Sequence, residues 1–310
     1  METGIPILNN FLYYLMAVRG CSNSTINDYS QDLQDFFNFI IEYQELNIES
    51  KDLTVFILGT VKESTIIQYL IYLNQYKDNC PKSRSKILSA IKSFYKWLFL
   101  KYPGTLKNKK NPAAEVPIIN NMERLPKYVK LKDAQRLQTI FNNDNSRFYI
   151  RNNAIITLFL NAGLRASELI NIDIDDVNFD EKQVRIIGKG NKERVVFLTN
   201  KSIYAIDKYL KTRTDKERPL FLNAKNQRFK RRGIEEVCEK AYDLAGLKEK
   251  QYTTHTLRHT SATYLYKSSK DILVVKEFLG HSSLTATQIY THILPDVVKD
   301  AVNRNPLNRK

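Results

Sequence analysis

Apolar residues recur at helical spacing through the first hundred positions of the chain. From Ile26 to Ile41 they lie three or four residues apart, and the polar run Ser22–Ser24 just before them supplies helix caps. The same spacing returns from Lys82 to Leu100, where the remaining helix faces are polar and basic. The pattern therefore predicts an all-helical domain over residues 1–102.

The pattern stops after this segment. Pro103-Gly104, a basic run at 107–110, Pro117 and Pro126 are typical of an extended connection that forms neither helix nor strand. Because a chain of 310 residues exceeds the usual single domain, we place a linker at 103–127 and a second domain at 128–310.

The second domain mixes helical and strand patterns. We predict helices over Lys132–Phe141 and Arg151–Leu160, with Gly163 ending the second. Residues 183–188 and 193–198 are rich in β-branched side chains, and the intervening turn predicts a hairpin. The expected fold class is mainly α with a small antiparallel β-sheet in the C-terminal domain.

The charge balance indicates a polyanionic partner. Lysine and arginine number 48 against 33 acidic residues, which gives a net charge of +15 and a pI of about 9.5. The excess is mostly C-terminal, since residues 1–115 hold 13 basic and 11 acidic residues and residues 116–310 hold 35 and 22. Basicity favours nucleic acid without distinguishing DNA from RNA or an acidic membrane.

The hydrophobic pattern and the cysteines indicate the cellular compartment and the redox state of the protein. No apolar run approaches the length of a membrane helix, and the N-terminus lacks the basic and cleavage regions of a secretory signal, so we expect a cytoplasmic protein. Cys21, Cys80 and Cys238 are scattered and odd in number, which predicts reduced, buried thiols.

Two basic clusters are candidates for phosphate contacts. Residues 77–110 hold ten basic residues and one acidic residue, Asp78, although a single basic helix face is ordinarily just solvated. The second cluster is at the turn of the predicted hairpin, where basic side chains are well placed to contact backbone phosphates. The predicted DNA-contacting residues are Lys82, Arg84, Lys86, Lys92, Lys96, Lys192 and Arg194.

All four histidines of the chain lie close together, at 255, 259, 281 and 292. Crowding imidazoles beside Arg258 indicates proton transfer next to an anion, because their unperturbed pKa is near neutrality. His255 and Arg258 share a helix face at a spacing of three. Clustered histidines could instead bind metal, but no carboxylate or cysteine completes a ligand set and Arg258 would repel a cation, so we expect no metal.

These residues form motifs that resemble those of the tyrosine recombinases, the phage integrase family. His255-x-x-Arg258, the run Leu279–Ser283 and Tyr290 resemble the family's C-terminal signature. Residues 162–169 resemble its first arginine motif and residues 188–194 its lysine-bearing hairpin. Four motifs in the right order, each with its internal spacing intact, are far more specific than one. Residues 24–33 and 91–95 resemble parts of the family's helical core-binding domain, which contacts the major groove.

The resemblance implies metal-independent and ATP-independent cleavage of a DNA phosphodiester, with no cofactor. Tyr290 would be the nucleophile of a 3′-phosphotyrosine intermediate, and Arg165 and Arg258 would neutralise the phosphate. Glu168 would hold Arg165 from behind; an ordinary surface ion pair between the two is the alternative. The implied catalytic residues are Arg165, Lys189, His255, Arg258, His281 and Tyr290.

The remaining roles also come from the resemblance. Lys189 would be the general acid, with a plain phosphate contact as its alternative, and His255 the general base. His281 would donate a hydrogen bond to the phosphate. His259 and His292 have no catalytic role in the family, so we expect them to pack or to contact the backbone. Position 261 is often aromatic in relatives and is serine here, which affects packing and leaves the catalytic set complete.

The implied function is site-specific recombination by a two-domain clamp on duplex DNA. Because the chain begins directly at the core-binding domain, it resembles Xer recombinases, which resolve chromosome or plasmid dimers in chromosome partition and cell division. The implied partners are DNA with a short palindromic site and further protomers, which form a tetramer around a Holliday junction. A second recombinase and a DNA translocase are further candidate partners. An apolar stripe that begins at Ile293, taken with the resemblance, implies a segment, about 295–310, that is exchanged between protomers; docking onto its own domain is the alternative.

Three other functions share part of this pattern. A mobile-element integrase or transposase would use the same chemistry. A type IB topoisomerase would use it as a monomer on arbitrary DNA, and a non-enzymatic DNA-binding protein would keep the fold alone. The filled catalytic positions disfavour the last.

Overall fold

The structure is a computed structural model of the chain. It describes residues 3–106, 109–117, 127–142, 146–188 and 193–280, together with Thr287 and Tyr290. Internal contacts divide the chain into two compact units, residues 1–123 and 124–310. Each unit has its own apolar core.

The first unit is helical, as predicted. Its helices are α1 (Pro6–Ala17), α2 (Asn23–Tyr43), α3 (Val55–Thr60), α4 (Glu63–Gln75) and α5 (Pro81–Lys101). The Ser22 hydroxyl accepts a hydrogen bond from the backbone N–H of Thr25, which confirms the predicted cap of α2. Aromatic rings fill the core, where Phe94 packs edge-on against Phe11 and Phe37.

Part of the predicted linker belongs to the first unit's core. Leu106, Ala113 and Val116 are buried there with the helices. Leu106 lies so close to Gly59 of α3 that a Cβ on that glycine would approach the leucine Cδ2 to 2.2 Å. The breaker-rich composition therefore marks the end of α5, while the apolar residues that follow it still pack.

The second unit is built around α7. Its helices are α6 (Leu131–Leu137), α7 (Arg147–Ala162), α8 (Ala166–Asn171), α9 (Asn200–Leu210), α10 (Arg231–Leu244), α11 (Thr254–Ser269) and α12 (Ile272–Leu279). Residues 154–160 of α7 are all buried, against α9, α10 and α11. Helix α6 ends earlier than Phe141, because Gln138–Asn142 form turns in which the Thr139 hydroxyl donates to the Arg136 carbonyl.

The predicted hairpin is present and belongs to a three-stranded antiparallel sheet. Strands β1 (Val177–Asn178), β2 (Gln183–Ile187) and β3 (Glu193–Phe197) pair in the order β1-β2-β3. Val184 lies opposite Val196, and Ile186 opposite Arg194. Since side chains alternate across a strand, these four share the sheet's inner face.

The cysteines differ from the prediction of buried thiols. Cys238 is buried, Cys21 is half-buried and Cys80 is exposed. Cys80 directly precedes the first turn of α5, a position that leaves its side chain outside the core. Among the described helices, none is both long and apolar enough to cross a membrane.

Candidate active site

A single buried carboxylate, Glu168 on the first turn of α8, gathers the arginines of the site. Its Oε2 accepts the backbone N–H of Arg165 at 2.8 Å and its Oε1 accepts the Arg165 guanidinium at 2.7 Å. Glu168 is 3% exposed. Burial disfavours ionisation of the carboxyl, yet hydrogen bonds from Arg194 and Arg165 hold its pKa below the usual value. Glu168 is therefore a fixed negative charge.

Arg194 completes this cluster, although we predicted that it would contact DNA. Its Nη1 and Nη2 donate to Glu168 Oε1 and Oε2 at 2.7 and 3.1 Å, a two-pronged pair. Its place on the inner face of β3, in line with Val196, directs the guanidinium inward. The alternation from Glu193 to Phe197 was the sequence signal for this orientation, and the assignment of Arg194 to an exposed hairpin tip overlooked it.

Arg258 connects the ends of two helices to the site. Its Nη1 donates to the Gly163 carbonyl at 2.5 Å and its Nη2 to the Leu279 carbonyl at 2.7 Å. Gly163 ends α7, as predicted, and Gly280 ends α12, both in the left-handed conformation, which turns these carbonyls toward the guanidinium.

The charge on Arg258 is costly to bury. Its Nη1 lies 3.6 Å from Glu168 Oε2, a longer ion pair than those of Arg165 and Arg194. Burial, followed by repulsion from Arg165, lowers the Arg258 pKa to about 10, so the side chain stays charged at neutral pH. Anionic oxygens would compensate this concentrated positive charge.

Tyr290 is enclosed in a small apolar cluster between α11 and α12. It is 1% exposed and packs with Tyr266, Val275 and Leu279. Burial raises the Tyr290 pKa to about 12, against the opposing influence of the Arg258 and Arg165 charges.

His259 contacts the tyrosine hydroxyl. Its Nδ1 lies 2.6 Å from Tyr290 Oη. Burial, with the nearby His255 and Arg258, lowers the His259 pKa to about 4. The expectation was that this histidine would pack or contact the backbone. Its ring does pack, with its centroid 5.7 Å from that of Tyr290, and its nitrogen also contacts the hydroxyl of the tyrosine that the motif singles out, which the sequence did not predict.

Several predicted site residues lie outside the described part of the chain. They are Lys189, Lys192, His281, His292 and the segment 295–310. His255 is described, and it lies exposed at the start of α11, one turn before His259. Within the described residues, no three histidine, cysteine or acidic side chains form a group that could hold a metal ion.

The basic residues predicted on α5 differ in their surroundings. Lys82 and Lys96 are exposed. Lys86 lies 3.2 Å from Asp28 and 3.7 Å from Asp32, and Lys92 donates to the Ala114 carbonyl at 3.4 Å. Arg84 is half-buried. Among these described residues of α5, Lys82 and Lys96 are therefore the exposed lysines whose amino groups form no ion pair with a described acidic residue.

Comparison with known proteins identifies the family. The sequence profile "Phage integrase family" matches residues 127–296, and "Phage integrase, N-terminal SAM-like domain" matches residues 8–101. The chain belongs to the phage integrase family, the tyrosine recombinases. Tyrosine recombinases are enzymes that cleave and rejoin DNA, and the matched residues include the whole arginine cluster.

Relatives within the family resemble the chain over nearly its full length. Tyrosine recombinase XerC of Caldanaerobacter subterraneus is 35% identical over 98% of this chain and 88% of the relative. Tyrosine recombinase XerD of Listeria monocytogenes is 29% identical over 95% and 96%.

Solved structures of tyrosine recombinases share the fold. The XerA recombinase crystal structure is 27% identical, with a TM-score of 0.52 and complete coverage of both chains. XerH bound to palindromic difH substrate in a post-cleavage complex is 19% identical, with a TM-score of 0.73 over 96% of this chain and 84% of the other. At that identity the second likeness concerns the fold alone.

Proposed function

We propose that the chain is a site-specific recombinase that cuts and rejoins DNA through a 3′-phosphotyrosine intermediate and a Holliday junction. Its substrate would be duplex DNA with a short palindromic site, bound by a tetramer that resolves chromosome or plasmid dimers. The observation that carries this proposal is the cluster on Glu168: three guanidinium groups around one buried carboxylate, in the domain that also encloses Tyr290.

The cluster suits a phosphodiester because its arginines are rigid before DNA arrives. Arg165 keeps part of its side chain at the surface, 31% exposed, while Glu168 holds the guanidinium from behind. Arg258 is fixed by two carbonyls. Guanidinium groups that are already oriented stabilise the negative charge that develops on the phosphorane oxygens. Losing one such hydrogen-bond donor lowers the rate by about a hundredfold.

The proposed reaction exchanges one ester for another. The Tyr290 oxygen bonds to phosphorus as the bond to the 5′ oxygen breaks. His255 takes the phenolic proton, Lys189 protonates the departing 5′ oxygen, and His281 donates a hydrogen bond to the phosphate. The phosphotyrosine conserves the ester bond, so rejoining by a 5′-hydroxyl needs neither ATP nor metal.

A nicked suicide duplex tests the nucleophile. Incubated without metal or ATP, the wild-type chain should form a covalent DNA adduct that survives a denaturing gel, and Tyr290→Phe should form none. Formation confined to one palindromic sequence supports recombination, whereas equal formation on arbitrary duplexes would indicate topoisomerase activity. An adduct retained by Tyr290→Phe would refute the proposed nucleophile.

A sulfur substitution tests the general acid separately. Lys189→Ala should lower the cleavage rate of an ordinary duplex by about a hundredfold or more, as loss of a general acid does. A duplex with sulfur in place of the bridging 5′ oxygen has a leaving group that needs no proton, so it should restore the rate of this variant. Arg165→Ala is the matched control, since its defect concerns phosphate charge and should persist with sulfur.

A further inference from the structure

In the hydrogen bond between His259 and Tyr290, the donor and the acceptor can be assigned. The His259 pKa of about 4 leaves the imidazole neutral at neutral pH, and the Tyr290 pKa of about 12 keeps the phenol protonated. The phenol must therefore donate, and the lone pair on His259 Nδ1 accepts, with the ring proton on Nε2. The 2.6 Å separation lies at the short end of the hydrogen-bond range.

The position of Tyr290 does not suit attack on a DNA phosphate. Its ring is packed with Ala262 and Tyr266 of α11 and with Val275 and Leu279 of α12. A phosphodiester backbone stays at the protein surface, so an almost fully buried hydroxyl cannot reach it in this arrangement. The hydroxyl also donates its proton in the hydrogen bond to His259. Tyr290 is therefore a neutral phenol, which is less nucleophilic than a phenolate.

We propose that His259 is a positioning residue that holds the Tyr290 hydroxyl inside the domain when no DNA is bound. The apolar cluster encloses the ring, and the hydrogen bond satisfies the one polar group that burial would otherwise leave unpaired. Cleavage then requires His259 to give up the hydroxyl as Tyr290 turns to the phosphate. The consequence for cleavage rests on the proposed role of Tyr290 as nucleophile; the hydrogen bond itself does not.

Two amide substitutions at position 259 separate the hydrogen bond from the volume of the side chain. Asparagine can place its amide oxygen near the position of Nδ1, whereas glutamine places it near that of Nε2. His259→Asn should therefore keep the contact, and His259→Gln should lose it while remaining polar. His259→Phe retains a ring and removes the acceptor.

The test places 3-fluorotyrosine at position 290 alone in the full chain and records its ¹⁹F signal in H₂O and in D₂O without DNA. We expect a buried, solvent-insensitive signal with His259 and with His259→Asn. With His259→Gln and His259→Phe, the solvent-exposed population should rise about fivefold, the change expected for one lost neutral hydrogen bond. Equal signals in all four proteins would overturn the inference.

Fluorotyrosine at position 209 is the folding control. Tyr209 is buried in the same unit and its hydroxyl accepts the Leu222 backbone N–H at 3.3 Å. Its signal should be the same in all four proteins, which shows that a change at 290 is local.

Adduct formation on a nicked duplex separates this inference from the proposed function. If fluorine at 290 responds as expected but no variant or wild-type chain forms an adduct on any duplex, the positioning role stands and the proposed nucleophile fails. If the wild type forms the adduct while the ¹⁹F signal at position 290 is unchanged by every substitution at 259, the proposed function stands and the positioning role fails.

Discussion

Glu168 is the residue on which the arrangement of the arginines depends. Its two oxygens accept four hydrogen bonds, from the Arg165 backbone and from the Arg165 and Arg194 guanidinium groups. Removing one partner of a buried ion pair leaves the other charges uncompensated, which is far more costly than losing an exposed pair.

We expect Glu168→Gln to lower the free energy of unfolding by about 3 kcal/mol, because the amide cannot balance the surrounding guanidinium charges. Urea unfolding followed by circular dichroism measures the change. Asp207→Asn is the matched control, since its pair with Lys211 is exposed and should contribute less than about 1 kcal/mol. Comparable losses in both variants would contradict a special role for the buried carboxylate.

The contribution of Glu168 should also depend on pH in a defined direction. Its pKa is lower in the folded state, so the folded state favours the ionised form. The stabilisation is therefore fully present above the unfolded-state pKa of about 4.3 and is lost as the pH falls through the lower, folded-state pKa. The stability difference between wild type and Glu168→Gln should be constant at neutral pH and shrink under acid; a constant difference down to acid unfolding would contradict it.

At the scale of single residues, the sequence predicted a contact between near neighbours and missed a contact between residues far apart in the chain. The pairing of Arg165 with Glu168 follows from a spacing of three residues, because neighbours on one helical turn can reach each other. The contact between His259 and Tyr290 joins residues 31 positions apart and depends on how α11 and α12 pack, which no local pattern encodes.

Glycines at helix ends fix where the site's carbonyls point. Gly163 has φ of +58°, and a Cβ there would lie 2.6 Å from Phe278 Cε1 of α12. The residue therefore needs both a left-handed backbone and the absence of a side chain. Its carbonyl is one of the two that hold Arg258.

Gly163→Ala should destabilise the chain by about 3 kcal/mol, since left-handed strain and a steric clash add. Gly246→Ala is the control, because Gly246 has φ of +67° and a Cβ added there would meet no atom of the described residues within 4 Å. Backbone strain alone should cost about 1 kcal/mol there. Urea midpoints of the two variants give the comparison, and equal midpoints would show that contact with Phe278 contributes nothing.

The segment after α5 should behave as part of the first unit's core. Leu106→Ala removes a fully buried leucine side chain and should cost about 3 kcal/mol. The chain's single tryptophan, Trp97, lies in the same core, so its fluorescence during urea unfolding reports the loss. Leu100→Ala, at a position 71% exposed, should leave the midpoint unchanged. An unchanged midpoint for Leu106→Ala would mean that the segment behaves as a linker.

Periodicity predicted most helices because the spacing of apolar residues is what buries one helix face. The bounds of α5 were predicted within one residue at each end. The packed segment after it was missed because prolines and glycine indicate only that regular structure ends. Whether the following apolar residues pack depends on whether the fold leaves space for them, as the missing side chain of Gly59 does. Such a space belongs to the tertiary structure and is not visible in the local sequence.

Over the whole molecule, the net charge of +15 predicts salt-sensitive binding to DNA. If Lys82 and Lys96 each neutralise a phosphate, the double variant Lys82→Ala/Lys96→Ala should reduce the slope of log affinity against log salt by about 1.8. Fluorescence anisotropy of a labelled duplex over a salt series measures it. Lys51→Ala is the control, since Lys51 already pairs with Glu49 at 2.8 Å and should leave the slope unchanged.

Charge composition predicted a polyanionic partner because long-range electrostatics depend on totals more than on fold. It could not show which lysines are available. Lys86 and Lys92 are equally basic in sequence, yet their amino groups lie against Asp28 and the Ala114 carbonyl. Such local competition is decided only once the helices have packed.

The two carbonyls held by Arg258 affect how an inactive variant of this enzyme is made. A common choice for such a reference protein is to replace a catalytic arginine, on the view that only chemistry is lost. Here the same side chain fastens the ends of α7 and α12, and one ammonium group cannot reproduce a planar fork with two donors so placed. An inactive Arg258→Lys protein would therefore combine the loss of the proposed catalytic role with a loosened scaffold. Tyr290→Phe removes the hydroxyl that His259 contacts but leaves both carbonyl contacts of Arg258 in place, so it is the better reference for the scaffold.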